Sequence, residues 1–152
     1  MCVCVGDRLS KTVEYNCGVR QGFPASPTLF DIFINDLLDG IKGVKIPGTD
    51  SEISGLLFAD DAVVPAESPA ELQIALEKLG AWSQKWEMQI NQEKCGIMGV
   101  NSSTGMLFTV MGKPVEQVKE YKYLGVVFND KWKKFSALKS NRENGRKAFQ
   151  SI

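Results

Sequence analysis

The chain opens on a short apolar run, residues 1–5. In "MCVCVGDRLSKTVEYN" this run, a Gly6 and Asp7 turn and a second strand from Thr12 to Tyr15 predict a β-hairpin. The loop "CGVRQGFPASP" follows, rich in turn residues. The period then changes to that of a helix. Ser26 and Pro27 are placed as N-cap and first-turn proline of a helix reaching about Ile41, with Phe30, Phe33, Ile34, Leu37, Leu38 and Ile41 as its stripe. After "GVKIPGTDSE", the stretch 55–64, "GLLFADDAVV", predicts a second hairpin, with Asp60 and Asp61 at its tip between two apolar runs. Ser68, Pro69 and Glu71 form a cap, a first-turn proline and a capping-box acid for a helix that carries Leu72, Leu76, Leu79, Trp82 and Trp86 on one face. Residues 91–94 turn the chain into the strand "CGIMGV". A polar loop, "NSSTG", leads to a further hairpin, "MLFTVMGKPVEQVKEYKYLGVVF", with its turn at 112–114. Residues 131–152 are predicted helical and basic. Helices interleaved with antiparallel hairpins predict an α+β fold: an antiparallel sheet with two helices packed on one face, a C-terminal hairpin and a basic helix.

Composition narrows the chemistry. At 152 residues and 43% hydrophobic, the chain is long enough to bury one core. Acidic and basic residues balance at 18 each, but their distribution does not. Lys131, Lys133, Lys134, Lys139, Arg142, Arg146 and Lys147 face one acid, Glu143, so residues 131–152 carry +6 and residues 1–130 carry −6. A polyanion-binding edge and a solvated helix face both fit that tail. The absence of histidine removes Ser-His-Asp and Cys-His catalysis and most zinc sites. Four cysteines without a CxxC pair point to free thiols in a reducing compartment, hence an intracellular protein, cytoplasmic or nuclear. No apolar run approaches the roughly 20 residues of a membrane span, and no signal peptide precedes the first strand; no membrane partner is expected.

Two adjacent aspartates between strands admit two readings. One is a turn, since aspartate tolerates left-handed backbone and caps its own chain. The other is a divalent cation site, because paired carboxylates repel without a compensating charge, and oxygen donors without histidine or cysteine suit Mg²⁺ or Mn²⁺.

Four segments in a fixed order bear on that choice: "GVRQGFPASPTLFDIFINDLL", "FADD", "INQEKCGIM" and "EYKYLGVVF". Together they resemble the reverse transcriptase family, and most of all its non-LTR retrotransposon branch, with group II intron enzymes more distant. The resemblance implies a partial polymerase palm over residues 1–130 and the helical start of a thumb or tail over 131–152. It implies RNA-directed DNA polymerisation, with an RNA template, a DNA primer and deoxynucleoside triphosphates as partners. Asp60 and Asp61 would hold Mg²⁺ or Mn²⁺, one ion activating the primer 3′-hydroxyl and the other steadying the triphosphate. Arg20, Gln21, Gly22, Phe23, Ser26, Pro27 and Phe58 would line the nucleotide pocket. Lys94 falls where the family often has a lysine near the triphosphate, and an exposed loop lysine is an equal reading. Tyr123, Leu124 and Gly125 would grip the primer end, or serve as strand packing with Gly125 at a bulge.

Two departures stand out: Phe23 replaces a small residue, usually cysteine, and Ala25 replaces leucine. The family's further metal-binding aspartate lies on a strand before the pocket loop. That strand, the fingers and most of the thumb are not found among these 152 residues, so the chain alone is expected to be inactive. The alternative is a degenerate or domesticated remnant that binds nucleic acid or serves a structural role without catalysis.

Overall fold

The computed structural model describes residues 2–14, 18–101 and 105–131. The chain forms two compact units, Met1–Asp36 with Leu57–Asp61, and Leu37–Leu56 with Ala62–Ile152.

In the first unit, β1 (Cys4–Val5) and β2 (Arg8–Leu9) pair antiparallel across Gly6 and Asp7, where Gly6 takes φ +59°. The second strand thus follows the turn at once and does not lie at Thr12 to Tyr15 as expected, because a two-residue turn pairs the residues next to it. Helix α1 spans Ser26–Phe33. Its N-cap is Ala25, which offers no side-chain bond, while Ser26 is already helical. Ser26 is therefore not the expected cap. Its hydroxyl donates to the Arg20 carbonyl at 2.6 Å instead of accepting from a helix N–H. The helix also stops eight residues short of Ile41. Turns fill 34–40, and Gly40 takes φ +70°. The sequence "INDLLDG" explains the stop: asparagine and aspartate compete for backbone hydrogen bonds, and glycine ends the run.

The second unit opens with β3 (Val44–Lys45) paired antiparallel to β4 (Glu52–Ile53). Gly43 sits so close to this pair that a Cβ would lie 2.7 Å from the Ile53 carbonyl carbon, so no other residue fits. Strands β5 (Leu56–Phe58) and β6 (Asp61–Val63) form the expected hairpin, which the unit boundary crosses. Helix α2 (Pro69–Lys85) starts as the sequence predicts, the Ser68 hydroxyl accepting from the Glu71 N–H at 3.3 Å.

Helix α2 packs on β8 (Phe108–Val110), which pairs antiparallel with β9 (Lys113–Gln117). β7 (Gly96–Ile97) pairs with the other side of β9 and runs parallel to it. Ile97, Phe108, Val110 and Val115 form the buried cluster, with Leu72, Leu76, Ile90 and Cys95 against it. β10 (Glu120–Tyr123) and β11 (Val126–Asn129) make a separate antiparallel pair.

The expected C-terminal hairpin is thus two hairpins. The first turns at Met111 and Gly112 rather than at 112–114, and Pro114 lies inside β9 opposite Thr109. The second turns at Leu124 and Gly125. The molecule is mixed α+β, but its strands form five small sheets among the described residues rather than one. The short strands follow from frequent glycine, proline and aspartate, each of which ends a ladder within a few residues. No helix among the described residues is long and apolar enough to cross a membrane.

Candidate nucleotidyl-transfer site

The hairpin of β5 and β6 turns on Ala59 and Asp60, while Asp61 opens β6. Only one of the two aspartates is therefore in the turn itself. Ala59 takes φ +49°, a conformation that hairpin turns ordinarily give to glycine. An L-residue there costs about 1–2 kcal/mol. The β1–β2 turn has glycine at the matching position, Gly6, also with positive φ, which makes the alanine the strained version of one geometry.

Ala59, Asp60 and Asp61 are exposed, as is Phe58, so the strands do not bury the two charges. Hydration limits their mutual repulsion to about 1 kcal/mol. No hydrogen bond to either carboxylate is found among the described residues, and both residues are exposed. Such a donor set fits a hard divalent ion, though two carboxylates fill few of its coordination positions. Among the described residues no group of three or more acidic, cysteine or histidine side chains is placed to share a metal.

The loop before α1 belongs to the same compact unit as Leu57–Asp61. Its fold is built around the Arg20 carbonyl, which accepts from the Phe23 N–H at 3.3 Å and from the Ser26 hydroxyl. Gly22 takes φ +78° with nothing within 4 Å of a Cβ, so it serves backbone conformation and not packing. Ser26 is buried, whereas Arg20, Gln21, Phe23 and Pro27 are exposed. The buried hydroxyl pins the loop and leaves the polar and aromatic side chains at the surface.

Lys94, Tyr123, Leu124 and Gly125 fall in the second unit. Lys94 is exposed at the end of a 3-10 turn, Gln92–Lys94, in which the Asn91 side chain accepts from the Glu93 N–H at 3.1 Å. Leu124 and Gly125 take φ +47° and +82°, the signature of a type I′ turn, so Gly125 marks a two-residue turn and not a bulge. Leu124 is 50% exposed, a bulky apolar side chain held out at a tip. Of the basic tail, Lys131 is exposed; Lys133, Lys134, Lys139, Arg142, Arg146 and Lys147 lie outside the described residues.

Sequence reasoning missed Tyr121, whose hydroxyl donates to the Lys94 carbonyl at 2.8 Å. Its signal was the aromatic two residues before Tyr123, on the same strand. It also missed the ion pair of Lys42 and Glu71. The hydrogen bond from Lys42 lowers the Glu71 carboxyl below its ordinary value, and the bond to Glu71 raises Lys42. Burial raises the Cys95 thiol above its ordinary value.

The family model described as "Reverse transcriptase (RNA-dependent DNA polymerase)" matches residues 3–128, and the chain belongs to that family. It is 28% identical over 141 residues to the retrovirus-related Pol polyprotein from type-1 retrotransposable element R2 of Popillia japonica, covering 84% of this chain and 23% of that protein. The corresponding R2 polyprotein of Nasonia vitripennis is 32% identical over 125 residues, covering 74% of this chain and 12% of that protein. The RNA-directed DNA polymerase from mobile element jockey of Drosophila melanogaster is 29% identical over 122 residues, covering 75% of this chain and 13% of that protein. The chain thus spans less than a quarter of these relatives.

Proposed function

We propose that this chain is part of the palm of a non-LTR-type RNA-directed DNA polymerase, which acts with an RNA template, a DNA primer and deoxynucleoside triphosphates. The observation that carries the reading is the hairpin bearing Asp60 and Asp61. Its two exposed carboxylates stand on a turn whose Ala59 backbone is strained, and strain of this kind concentrates at functional sites.

In this reading Asp60 and Asp61 hold Mg²⁺ or Mn²⁺. Bound there, the ions supply activation of the primer 3′-hydroxyl and charge neutralisation on the triphosphate. The chain's own residues do the rest. Arg20 and Gln21 present donors to phosphate and base. Gly22 supplies the left-handed turn that lets the loop fold back, and Ser26 fixes it through the Arg20 carbonyl. Phe23, Pro27 and Phe58 are the apolar wall of the nucleotide pocket, with the bulk of Phe23 narrowing it. Lys94 neutralises phosphate charge. Tyr123, Leu124 and Gly125 hold the primer end.

The chain covers a small part of its relatives, and two-metal transfer needs at least one carboxylate beyond Asp60 and Asp61. Primer extension by these 152 residues alone is therefore not expected. The test is Mn²⁺ titration of the ¹⁵N-labelled chain. Paramagnetic broadening centred on residues 58–62, lost in Asp60→Asn/Asp61→Asn, is expected. Broadening that is spread over the acidic surface and unchanged in the double variant overturns the metal reading.

A further inference from the structure

We infer that Tyr121 is a positioning residue for Lys94, holding the lysine's segment in register with the hairpin of Tyr123, Leu124 and Gly125. This inference rests on the proposed role of Lys94 at the nucleotide triphosphate.

Three contacts within the second unit place Tyr121 between the two segments. Its hydroxyl donates to the Lys94 carbonyl at 2.8 Å, across 27 residues of sequence. Its ring lies on Gly96 so closely that a Cβ there would stand 3.0 Å from Cδ2 and 3.2 Å from Cε2. Its backbone pairs with Phe128 in the β10–β11 ladder, close to the turn at Leu124. The Val118 N–H donates to the Ile97 carbonyl at 2.8 Å and fixes the same junction from the other side of Gly96. The turn is closed by its own bonds, the Lys94 N–H donating to the Asn91 carbonyl at 3.2 Å and the Cys95 N–H to the Gln92 carbonyl at 3.1 Å, but these are local and do not fix it against the hairpin. Tyr121 supplies that constraint through the backbone and leaves the Lys94 side chain exposed.

The test uses Tyr121→Phe, which keeps the ring on Gly96 and removes only the hydroxyl, beside Lys94→Ala and the double variant in the 152-residue chain. Binding of a Mg²⁺–deoxynucleoside triphosphate is measured by chemical-shift titration, and melting midpoints are recorded in parallel. Tyr121→Phe is expected to weaken binding about threefold, with its midpoint lowered by no more than the few degrees that one net hydrogen bond is worth. The double variant is expected to bind no more weakly than Lys94→Ala alone, because Tyr121 acts through Lys94. Unchanged binding in Tyr121→Phe, or two losses that add independently while Lys94→Ala still weakens binding, overturns the inference and leaves the Lys94 reading standing. No loss in Lys94→Ala, or no binding by the parent chain up to the solubility limit, overturns the Lys94 reading and the inference with it.

Discussion

The side-chain amide of Gln73 pairs with the backbone of Thr109 as a strand would. Gln73 Nε2 donates to the Thr109 carbonyl at 3.0 Å, and Gln73 Oε1 accepts from the Thr109 N–H at 3.0 Å. Thr109 lies opposite Pro114, which has no N–H to offer, and β8 is the edge of its sheet. Helix α2 thus covers an edge that would otherwise present a free donor and acceptor to other chains. Replacing Gln73 with leucine leaves both groups unpaired at a partly buried edge. A loss of about 1–3 kcal/mol in urea unfolding is expected, with greater aggregation near the transition. Gln73→Glu keeps the acceptor and loses the donor, so it is expected to fall between the two.

The hairpin of Asp60 and Asp61 is expected to trade stability for ion binding. Ala59→Gly relieves the left-handed strain and is expected to raise stability by about 0.5–1 kcal/mol, after the entropy cost of glycine. Asp60→Asn is expected to leave the metal-free chain unchanged or slightly more stable, and to remove the rise in melting midpoint that excess Mn²⁺ gives the parent. Thermal melting in EDTA and in Mn²⁺ reads both. If every Asp60 and Asp61 variant melts lower in EDTA and Mn²⁺ never raises the parent's midpoint, the aspartates serve the turn alone.

Leu124 sits at the first position of a type I′ turn, where asparagine is favoured. Leu124→Asn is expected to stabilise the chain by about 1 kcal/mol in thermal melting. In a primer-gripping hairpin the same change should weaken binding of a primer–template duplex. A variant that is more stable and binds less well is the expected pattern, and unchanged binding argues that Leu124 does not touch the primer.

The pair of Lys42 and Glu71 ties the loop before β3 to the first turn of α2. Because the folded Glu71 value is depressed, its contribution is present above the ordinary carboxylate range and is lost as pH falls through the lowered value. Lys42 is raised above 10.5, so its contribution is present below that pH and lost as pH rises through the raised value. Glu71→Gln is expected to remove both limbs from the difference between stability–pH profiles. Its effect should shrink in high salt because Lys42 is largely exposed.

Any nucleic-acid binding by the chain is expected to be non-specific and carried by residues 131–152. Ending the chain after Asp130 removes seven basic residues and one acid. It should abolish most of that binding and flatten the salt slope by about 0.7–0.9 for each phosphate that the tail no longer neutralises. Undiminished binding by the shortened chain would place the binding surface in the body.

What the sequence determined by itself is local. The start of α2 at Ser68 and Pro69, the β1–β2 turn on Gly6, and the hairpin carrying Asp60 follow from caps, left-handed positions and alternation within a few residues. The order of four segments likewise sufficed to indicate the family, since that signal needs no coordinates. Tertiary structure decided what depends on distant partners. Periodicity carried α1 on to Ile41, yet it cannot weigh the polar residues and glycine that end the helix at Phe33. Alternation could not reveal that β7 runs parallel to β9, because relative strand direction is set by how the chain connects the strands and not by the strands themselves. The bonds of Gln73 to Thr109 and of Tyr121 to Lys94 span 36 and 27 residues. A side-chain amide or hydroxyl meeting a backbone group leaves no period in the sequence, so only the folded chain brings such partners within reach.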